Sequence, residues 1–369
     1  MKYFIIAGEA SGDLHGSNLV KHLKLKDANA EIQAWGGDRM IQQGADVRKH
    51  IRELAFMGFV EVLMNLRTIM RNFRLCKSQV EEFKPDSLIL IDYPGFNLRM
   101  AKWAHEKNIK VIYYISPQVW AWKKSRVKTI RRTVNEMFTI LPFEKEFYSK
   151  HGMNVRYEGH PLIDAVEDFK NNSSSSTIAD SEKPVLALLP GSRRQELKKM
   201  FPLMLEASDA FSSTHRIVIG AVSLLPNELY NTGGRNIEII TDQTYALLSK
   251  AQCAFVTSGT ATLETALFRV PLVVCYKANA ISYMIAKRLD GKNIKFISLV
   301  NLIAGKEVCR ELIQSDLTKG NMVNEMKKLI PPQPSRDVML SEYDLLYSKL
   351  GGAGASERVA TRVIEICNK

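Results

Sequence analysis

Two acidic residues lie in a glycine-containing stretch near the start of the sequence. FIIAGEASGDLHG (4–16) runs from an apolar segment into a loop with Glu9 and Asp13, and its glycines are four residues apart. Glycine lets a ligand approach the backbone closely, but carboxylates repel phosphate. Carboxylates accept hydrogen bonds from sugar hydroxyls or remove a proton from one. We therefore predict that Glu9 and Asp13 act on hydroxyls; alternatively, Asp13 caps a helix.

A third acid, Asp92, follows the apolar run LILI (88–91) and precedes a Pro-Gly turn. A partly desolvated carboxylate at the end of a buried strand is a candidate general base. The alternative is a turn residue whose side chain only shapes the loop.

The stretch LALLPGSRRQE (186–196) has the residue types of an anion site. A strand is followed by a Pro-Gly turn, and Ser192 and Arg193 then open a predicted helix. Backbone amides at a helix start attract anions, and arginine matches phosphate oxygens in a bidentate way. The alternative is a plain turn with solvated arginines.

The stretch FVTSGTATLETAL (255–267) repeats this pattern with small hydroxyl residues. Amides and hydroxyls of the loop suit a diphosphate, and the acid Glu264 suits ribose hydroxyls. Alternatively, Glu264 is the partner of a threonine in a capping box. The loop residues are Ser258, Gly259, Thr260, Ala261 and Thr262.

An amphipathic segment lies at ELAFMGFVEVLMNLRTIMRNFRLCK (53–77), with arginines bordering its apolar side. Such a helix either lies in the interface of an anionic membrane or packs on the protein core. Its apolar residues are Val60, Val62, Leu63, Leu66, Ile69, Met70 and Phe73.

The elements that must position these residues are short apolar strands that alternate with helices, a pattern that predicts parallel sheets covered on both faces. The pattern occurs twice, so we predict an α/β protein with two doubly wound Rossmann-like domains facing a central cleft. The predicted segments are an N-terminal domain (1–168), a linker (169–184), a C-terminal nucleotide-binding domain (185–340) and a helical segment (341–369). Ligands bind at the carboxyl ends of the strands in such folds.

The composition of the chain indicates which kinds of molecule it binds. The chain has 369 residues and a formal net charge of +12, which suggests a polyanionic partner. The basic run with two tryptophans in SPQVWAWKKSRVKTIRR (116–132) would spread its charges over several helix faces, so we predict no nucleic-acid partner. The five cysteines are scattered and no H-x-x-x-H occurs, which argues against disulfides and a metal site. With no signal peptide or spanning segment in the pattern, a cytoplasmic protein is expected.

The order of these motifs resembles the lipid-A-disaccharide synthases, glycosyltransferases with the GT-B fold. The matching stretches are AGEASGD (7–13), FMGFVEVL (56–63), IDYPGFN (91–97), SPQVWAW (116–122), LPFEKEFY (141–148), GHPLID (159–164), LPGSR (189–193), SGTATLE (258–264) and NLIAG (301–305). Together they cover nearly the whole chain.

The resemblance implies a reaction in which UDP-2,3-diacylglucosamine donates its sugar to 2,3-diacylglucosamine 1-phosphate (lipid X). The products would be a β(1→6)-linked tetra-acyl disaccharide 1-phosphate and UDP. The family reaction inverts the anomeric centre, needs neither metal nor cofactor, and takes place on the cytoplasmic face of the inner membrane of a Gram-negative cell. A homodimer is compatible with the resemblance.

The resemblance also assigns site residues. Asp92 matches the essential aspartate of the family. The apolar stretch around Val60, Val62, Leu63 and Leu66 matches its membrane-contacting segment, and Ile69 and Met70 are expected to contact the membrane as well. The residues expected to bind substrate or UDP are Ser11, Gly12, Ser192, Arg193, residues 258–262, Glu264, Asn301 and Gln314. Two departures are visible: Gly95 stands where relatives often have a second acid, and Cys309-Arg310 replace a common valine and proline.

Two alternatives remain open from the sequence. UDP-N-acetylglucosamine 2-epimerases and other GT-B transferases share such a C-terminal half, but a soluble-sugar enzyme has no use for the apolar segment at 56–70. A non-catalytic basic protein that binds membrane or RNA is the other alternative, and the acids at strand ends argue against it.

Overall fold

A computed structural model of the chain describes residues 1–54, 66–120, 126–172, 178, 182–277 and 295–368. The chain forms two compact units, one from Met1–Ala165 with Leu350–Lys369 and the other from Val166–Lys349. Each unit contains one parallel sheet with helices between successive strands. The predicted α/β class with two doubly wound sheets is therefore confirmed.

The first unit has a seven-stranded sheet of order β3-β2-β1-β4-β5-β6-β7, in which every neighbouring pair is parallel. Its strands are β1 (Lys2–Ala7), β2 (Glu31–Gly36), β3 (Asp46–His50), β4 (Ser87–Ile91), β5 (Lys110–Tyr114), β6 (Glu136–Thr139) and β7 (Arg156–Tyr157). The helices up to the boundary are α1 (Ala10–Lys26), α2 (Asp38–Gln42), α3 (Leu66–Phe83), α4 (Pro94–Glu106), α5 (Arg126–Thr133), α6 (Glu144–Ser149) and α7 (Pro161–Asn172).

The second unit has a six-stranded parallel sheet of order β10-β9-β8-β11-β12-β13. Its strands are β8 (Val185–Leu189), β9 (Arg216–Ala221), β10 (Glu238–Thr241), β11 (Ala251–Thr257), β12 (Leu272–Tyr276) and β13 (Glu311–Ile313). Its helices are α8 (Arg194–Ser208), α9 (Thr244–Lys250), α10 (Thr260–Leu267), α11 (Leu299–Ala304), α12 (Lys319–Lys327) and α13 (Pro334–Lys349).

The central strands are apolar along their whole length because both sheet faces are buried. In β1 and β4, Phe4, Ile6 and Leu88 pack into one core while Tyr3, Ile5 and Ile89 pack into another. Successive side chains of a strand point to opposite faces, so two covered faces require a continuous apolar run. The edge strands β3 and β13 each pair with one neighbour; β3 is more polar and β13 has only three residues, so the apolar-run criterion missed them.

The domain boundaries differ from the predicted ones at the C-terminal end. The predicted segment 341–369 divides: α13 belongs to the second unit, whereas α14 (Ala355–Cys367) returns to the first. Val359, Ala360 and Val363 of α14 complete the core that contains Leu19 and Val20 of α1. Most of the predicted linker 169–184 either continues α7 or lies outside the described residues.

Three hydrogen bonds to one carboxylate fix the start of α14. The carboxylate of Asp164 accepts from the backbone N–H groups of Gly354 at 2.6 Å, Ala355 at 3.3 Å and Ser356 at 2.7 Å. The first amides of a helix have no partner within it, so Asp164 supplies one from the middle of the chain, 190 residues before Gly354. Among the described residues, no helix is both long and apolar enough to cross a bilayer.

Candidate active site

The first candidate region lies at the carboxyl ends of β1 and β4. These strands are neighbours at the centre of the first sheet, and the chain leaves them in opposite directions along the sheet. Loops diverge at such a point and leave a crevice that binds ligands. Glu9 follows β1 and Asp92 follows β4. The topology therefore places the starts of the loops that carry Glu9 and Asp92 at the same edge of the sheet, as the sequence predicts.

The ring of Tyr93 packs against Gly8 in this region. A Cβ atom at position 8 would clash with the Tyr93 ring, so only glycine allows the approach. Burial and the charge of Glu9 raise the pKa of the Tyr93 hydroxyl. Glu9, half-buried at the N-cap of α1, therefore lies within electrostatic range of that hydroxyl.

The glycines four residues apart have a packing role. A Cβ atom at Gly12 would lie 3.0 Å from the Cβ of Ala7, and one at Gly16 would clash with Met40. Residues i and i+4 share one helix face, and this face of α1 packs on the sheet. Gly12, predicted to bind substrate, is buried in that contact; Ser11, at the preceding position of the helix, is half-buried.

The contacts of Asp13 favour the capping alternative, although the helix that it caps is not its own. Its side chain is 4% exposed, and it accepts hydrogen bonds from the backbone N–H groups of Gly37 at 2.7 Å, Arg39 at 3.1 Å and Met40 at 3.2 Å. Burial raises the pKa of this carboxyl, and the three amides oppose that rise. Asp13 therefore caps α2 from a distance, and both carboxylate oxygens are occupied by the fold instead of a substrate hydroxyl.

Two buried histidines lie close to this region. The ring centroids of His15 and His160 are 6.3 Å apart, and neither His15 Nδ1 nor His160 Nε2 has a hydrogen-bond partner among the described residues. Burial lowers the pKa of His15 to about 4. Burial and the neighbouring His15 lower the pKa of His160 to about 3. Both rings are therefore neutral in the folded protein at neutral pH.

From the burial of these two histidines we predict that the folded protein becomes less stable in acid. An unfolded histidine binds a proton below pH ~6.5, whereas the folded rings stay neutral down to their lowered pKa values. The free energy of unfolding should thus fall as the pH drops from ~6.5, by about 1.4 kcal/mol per pH unit for each histidine. Urea titrations at several pH values measure this slope. His15→Gln should reduce it, whereas the exposed His105→Gln should leave it unchanged; equal slopes in all three proteins would contradict the prediction.

A buried carboxyl group in the LPFEKEFY segment was not singled out from the sequence. Glu144 is 0% exposed and accepts hydrogen bonds from Trp120 Nε1 at 3.2 Å and from the Leu141 N–H at 3.1 Å. Burial raises its pKa to about 8. This group therefore anchors Trp120 of the predicted SPQVWAW motif, and its sequence signal was a glutamate directly after the apolar residues 141–143 of a motif.

The second candidate region lies at the carboxyl ends of β8 and β11, the corresponding divergence point of the second sheet. Ser192 is exposed, and Arg193 occupies the N-cap of α8. Arg193 Nη1 donates to Glu196 Oε1 at 3.1 Å, and the arginine side chain is 51% exposed. Burial and Glu196 raise the pKa of Tyr276 at the end of β12, and Arg193 lowers it. These groups therefore surround the start of α8.

Two side-chain hydroxyls of the loop after β11 donate hydrogen bonds to backbone carbonyls of the protein. Ser258 Oγ donates to the Ile297 carbonyl at 3.0 Å, and Thr262 Oγ1 donates to the Gly259 carbonyl at 2.8 Å. Thr260 and Ala261 open α10, where the first helical amides point out of the helix. The expectation of a diphosphate site on residues 258–262 therefore rests on these amides more than on the hydroxyls.

Glu264 is held by a tyrosine that the sequence did not single out. Tyr245 Oη donates to Glu264 Oε1 at 3.0 Å. The N-cap of α10 is Gly259 and has no side-chain cap, so the capping-box alternative for Glu264 is not met. Its half-buried carboxylate is presented from the second turn of the helix that follows β11.

Asn301, expected to bind substrate, is fully buried in hydrogen bonds to its own loop. Its Oδ1 accepts from the Val308 N–H at 2.7 Å and the Cys309 N–H at 3.0 Å. Its Nδ2 donates to the Cys309 carbonyl at 2.7 Å and to Glu311 Oε1 at 2.9 Å. Glu311, another residue missed in the sequence, also accepts from Ser298 N and Oγ. Asn301 therefore shapes the loop between α11 and β13.

Gln314 follows β13 in an unusual environment. Its backbone is left-handed, with φ of 54°, and its Nε2 is buried without a hydrogen-bond partner among the described residues. Unpaired buried donors are rare in folded proteins, and strained backbone concentrates at functional sites. Both features favour the expected substrate-binding role of Gln314.

The predicted membrane segment is described only in part. Val60, Val62, Leu63 and the side chain of Leu66 lie outside the described residues. In α3, Ile69 is half-buried and Met70 is 44% exposed, with Arg67, Arg71 and Arg74 exposed beside them.

Within the described ranges, no group of three or more histidines, cysteines and acids could hold a metal ion.

Comparisons of the sequence identify the family. The family model described as lipid-A-disaccharide synthetase matches residues 3–343. The lipid-A-disaccharide synthase of Geobacter sulfurreducens is 37% identical over 377 residues, covering 100% of this chain and 98% of the relative. That of Myxococcus xanthus is 34% identical over 374 residues, covering 99% and 97%.

Solved structures support the fold. The complex of S. aureus MnaA with UDP has a TM-score of 0.69 at 14% identity and covers 100% of this chain and 97% of that one. The UDP-GlcNAc 2-epimerase of Neisseria meningitidis, bound to UDP-GlcNAc, has a TM-score of 0.67 at 15% identity and covers 99% and 100%. The fold is GT-B. With full-length relatives at 34–37% identity, the chain belongs to the lipid-A-disaccharide synthase family, the glycosyltransferases that make the disaccharide of lipid A.

Proposed function

We propose that the first unit supplies the general base and binds lipid X, while the second unit binds the UDP group of UDP-2,3-diacylglucosamine. The proposal rests on a difference between the two sheets. Acids follow the central strands of the first sheet, whereas an arginine and two helix starts follow the central strands of the second. Acids suit hydroxyl groups, and arginine with helix amides suits a diphosphate.

In the proposed reaction, the 6-hydroxyl oxygen of lipid X attacks the anomeric carbon of the donor sugar. The bond from that carbon to the diphosphate breaks, and UDP leaves with the electron pair. Asp92 takes the hydroxyl proton. Glu9 binds acceptor hydroxyls and favours the positive charge that develops on the donor ring. The attack from the opposite face inverts the anomeric centre and gives the β(1→6) product.

The leaving group carries the largest charge in this reaction. Ser192, Arg193 and the first amides of α8 and α10 stabilise the diphosphate as it departs. Glu264, oriented by Tyr245, accepts hydrogen bonds from the ribose hydroxyls, and the Gln314 amide donates to the nucleotide or donor sugar. These roles follow the residue chemistry and the family pattern together.

The acyl chains of both substrates require access to a membrane. The exposed Met70 lies among Arg67, Arg71 and Arg74 on α3. In the sequence, an apolar segment precedes this helix. We propose that this surface contacts the anionic cytoplasmic face of the inner membrane. Sedimentation with anionic vesicles at low salt, but not with neutral vesicles, would support the proposal; equal binding to both would contradict it.

The reaction itself is tested with purified protein in detergent. UDP-2,3-diacylglucosamine is added with or without lipid X, and UDP and disaccharide are quantified. We expect both products only when lipid X is present. UDP release without disaccharide would retain the donor site and overturn the acceptor. Formation of UDP-N-acetylmannosamine from UDP-N-acetylglucosamine would instead support an epimerase activity.

A further inference from the structure

We infer that Tyr113 and Asn97 are positioning residues for Asp92: together they hold its backbone carbonyl and so direct its carboxylate. The inference rests on the proposed role of Asp92 as the general base. Neither residue projects into the crevice, because both side chains are 0% exposed.

The backbone that carries Asp92 has an unusual conformation. Asp92 and Tyr93 have φ values of 43° and 48°, so two consecutive residues with side chains are left-handed. Ile115, at the end of the neighbouring β5, has a φ of 69°, and its carbonyl accepts from the Asp92 N–H at 3.3 Å. Residues other than glycine keep such conformations only where the surrounding structure enforces them.

Two buried donors enforce this conformation. Tyr113 Oη donates to the Asp92 carbonyl at 2.7 Å, and Asn97 Nδ2 donates to the same oxygen at 2.8 Å. Asn97 Nδ2 also lies 3.2 Å from the Ile91 carbonyl and 3.3 Å from the Ile6 carbonyl. One amide group therefore ties the end of β4 to the end of β1, where the loops with Asp92 and Glu9 begin.

These contacts predict an effect on chemistry rather than on binding. A general base must reach the hydroxyl that it deprotonates, and a displacement of about 1 Å can lower the rate ~100-fold. The UDP-binding residues proposed above belong to the second unit and are untouched by rotation of the Asp92 peptide. Loss of a positioning bond should therefore lower kcat and leave the KM of the donor near its original value.

Adjacent tyrosines give a matched pair of variants. Tyr113→Phe removes one hydroxyl that bonds to Asp92. Tyr114→Phe removes a hydroxyl on the opposite face of β5, where it lies beside Ser356 of α14. We expect Tyr113→Phe to lower kcat ~10-fold with KM values within about 2-fold, and Tyr114→Phe to retain kcat.

Asn97→Asp keeps the shape of the side chain but places a carboxylate against three carbonyls, and it should lower kcat ~100-fold. Circular dichroism melting identifies any variant that fails to fold.

Combination with Asp92→Asn separates this inference from the proposed base. If the tyrosine acts through Asp92, adding Tyr113→Phe to Asp92→Asn should cause no further loss of kcat. A multiplicative loss in the double variant, or wild-type kcat in Tyr113→Phe beside an inactive Asp92→Asn, would overturn the positioning role alone. Wild-type kcat in Asp92→Asn would overturn the proposed base, and the inference with it.

Discussion

Replacement of Asp92 by asparagine is expected to lower kcat about 10³-fold, within the ~10²–10⁴ range for loss of a general base. Asparagine keeps the size of the side chain but cannot take the proton of the acceptor hydroxyl. Because the backbone of Asp92 is held by Tyr113 and Asn97, the substituted loop should keep its conformation. The KM of the donor should therefore change little, and initial rates of UDP release at saturating lipid X measure the loss.

Asp46 provides a control for removal of a carboxylate. It lies at the amino end of β3, and its side chain is 56% exposed. Asp46→Asn should retain wild-type kcat. If Asp92→Asn also retains wild-type kcat, Asp92 is not the base; if its acceptor KM rises at the same time, Asp92 binds the acceptor instead.

Substitution of Arg193 by alanine is expected to lower kcat ~10²-fold, the loss typical of one group that stabilises developing negative charge. The guanidinium is positioned at the start of α8 by Glu196, and its exposed part is available to a diphosphate. Its removal also leaves the Glu196 carboxylate near the diphosphate without the compensating cation. Both effects act on the departing UDP, and UDP binding measured by calorimetry should weaken as well.

Two further variants separate these effects. Arg194→Ala removes the next, exposed arginine and should leave kcat near the wild-type value. Adding Glu196→Gln to Arg193→Ala should recover part of the loss, since it removes the repulsive carboxylate. Identical rates in Arg193→Ala with and without Glu196→Gln would show that Glu196 does not act on the diphosphate, and full activity in Arg193→Ala would contradict the proposed leaving-group site.

The sequence predicted the positions that follow from local pattern and topology. Apolar runs identified the central strands, and the rule that ligands bind at divergence points placed Glu9, Asp92 and Arg193 correctly at the ends of β1, β4 and β8. Their chemical roles remain predictions, because the fold positions a side chain without showing what it binds.

The sequence did not reveal hydrogen bonds whose partners lie outside the motif. Asp13 is occupied by amides of residues 37–40, about one helix and one strand away, and Asn301 by amides and a carbonyl of residues 308–309. Spacing within a motif carries no information about such contacts. The glycine spacing of four was compatible with a ligand loop, but Met40 and Ala7 explain it as close packing of α1.

The return of α14 to the first unit affects how the protein is made. A ribosome synthesises residues 166–349 in full before it reaches the helix that covers Leu19 and Val20. Until then the first unit exposes part of an apolar core and lacks the amides that bind Asp164. The second unit can therefore be completed first, and the nascent first unit depends for that interval on chaperones or on the speed of translation to avoid aggregation.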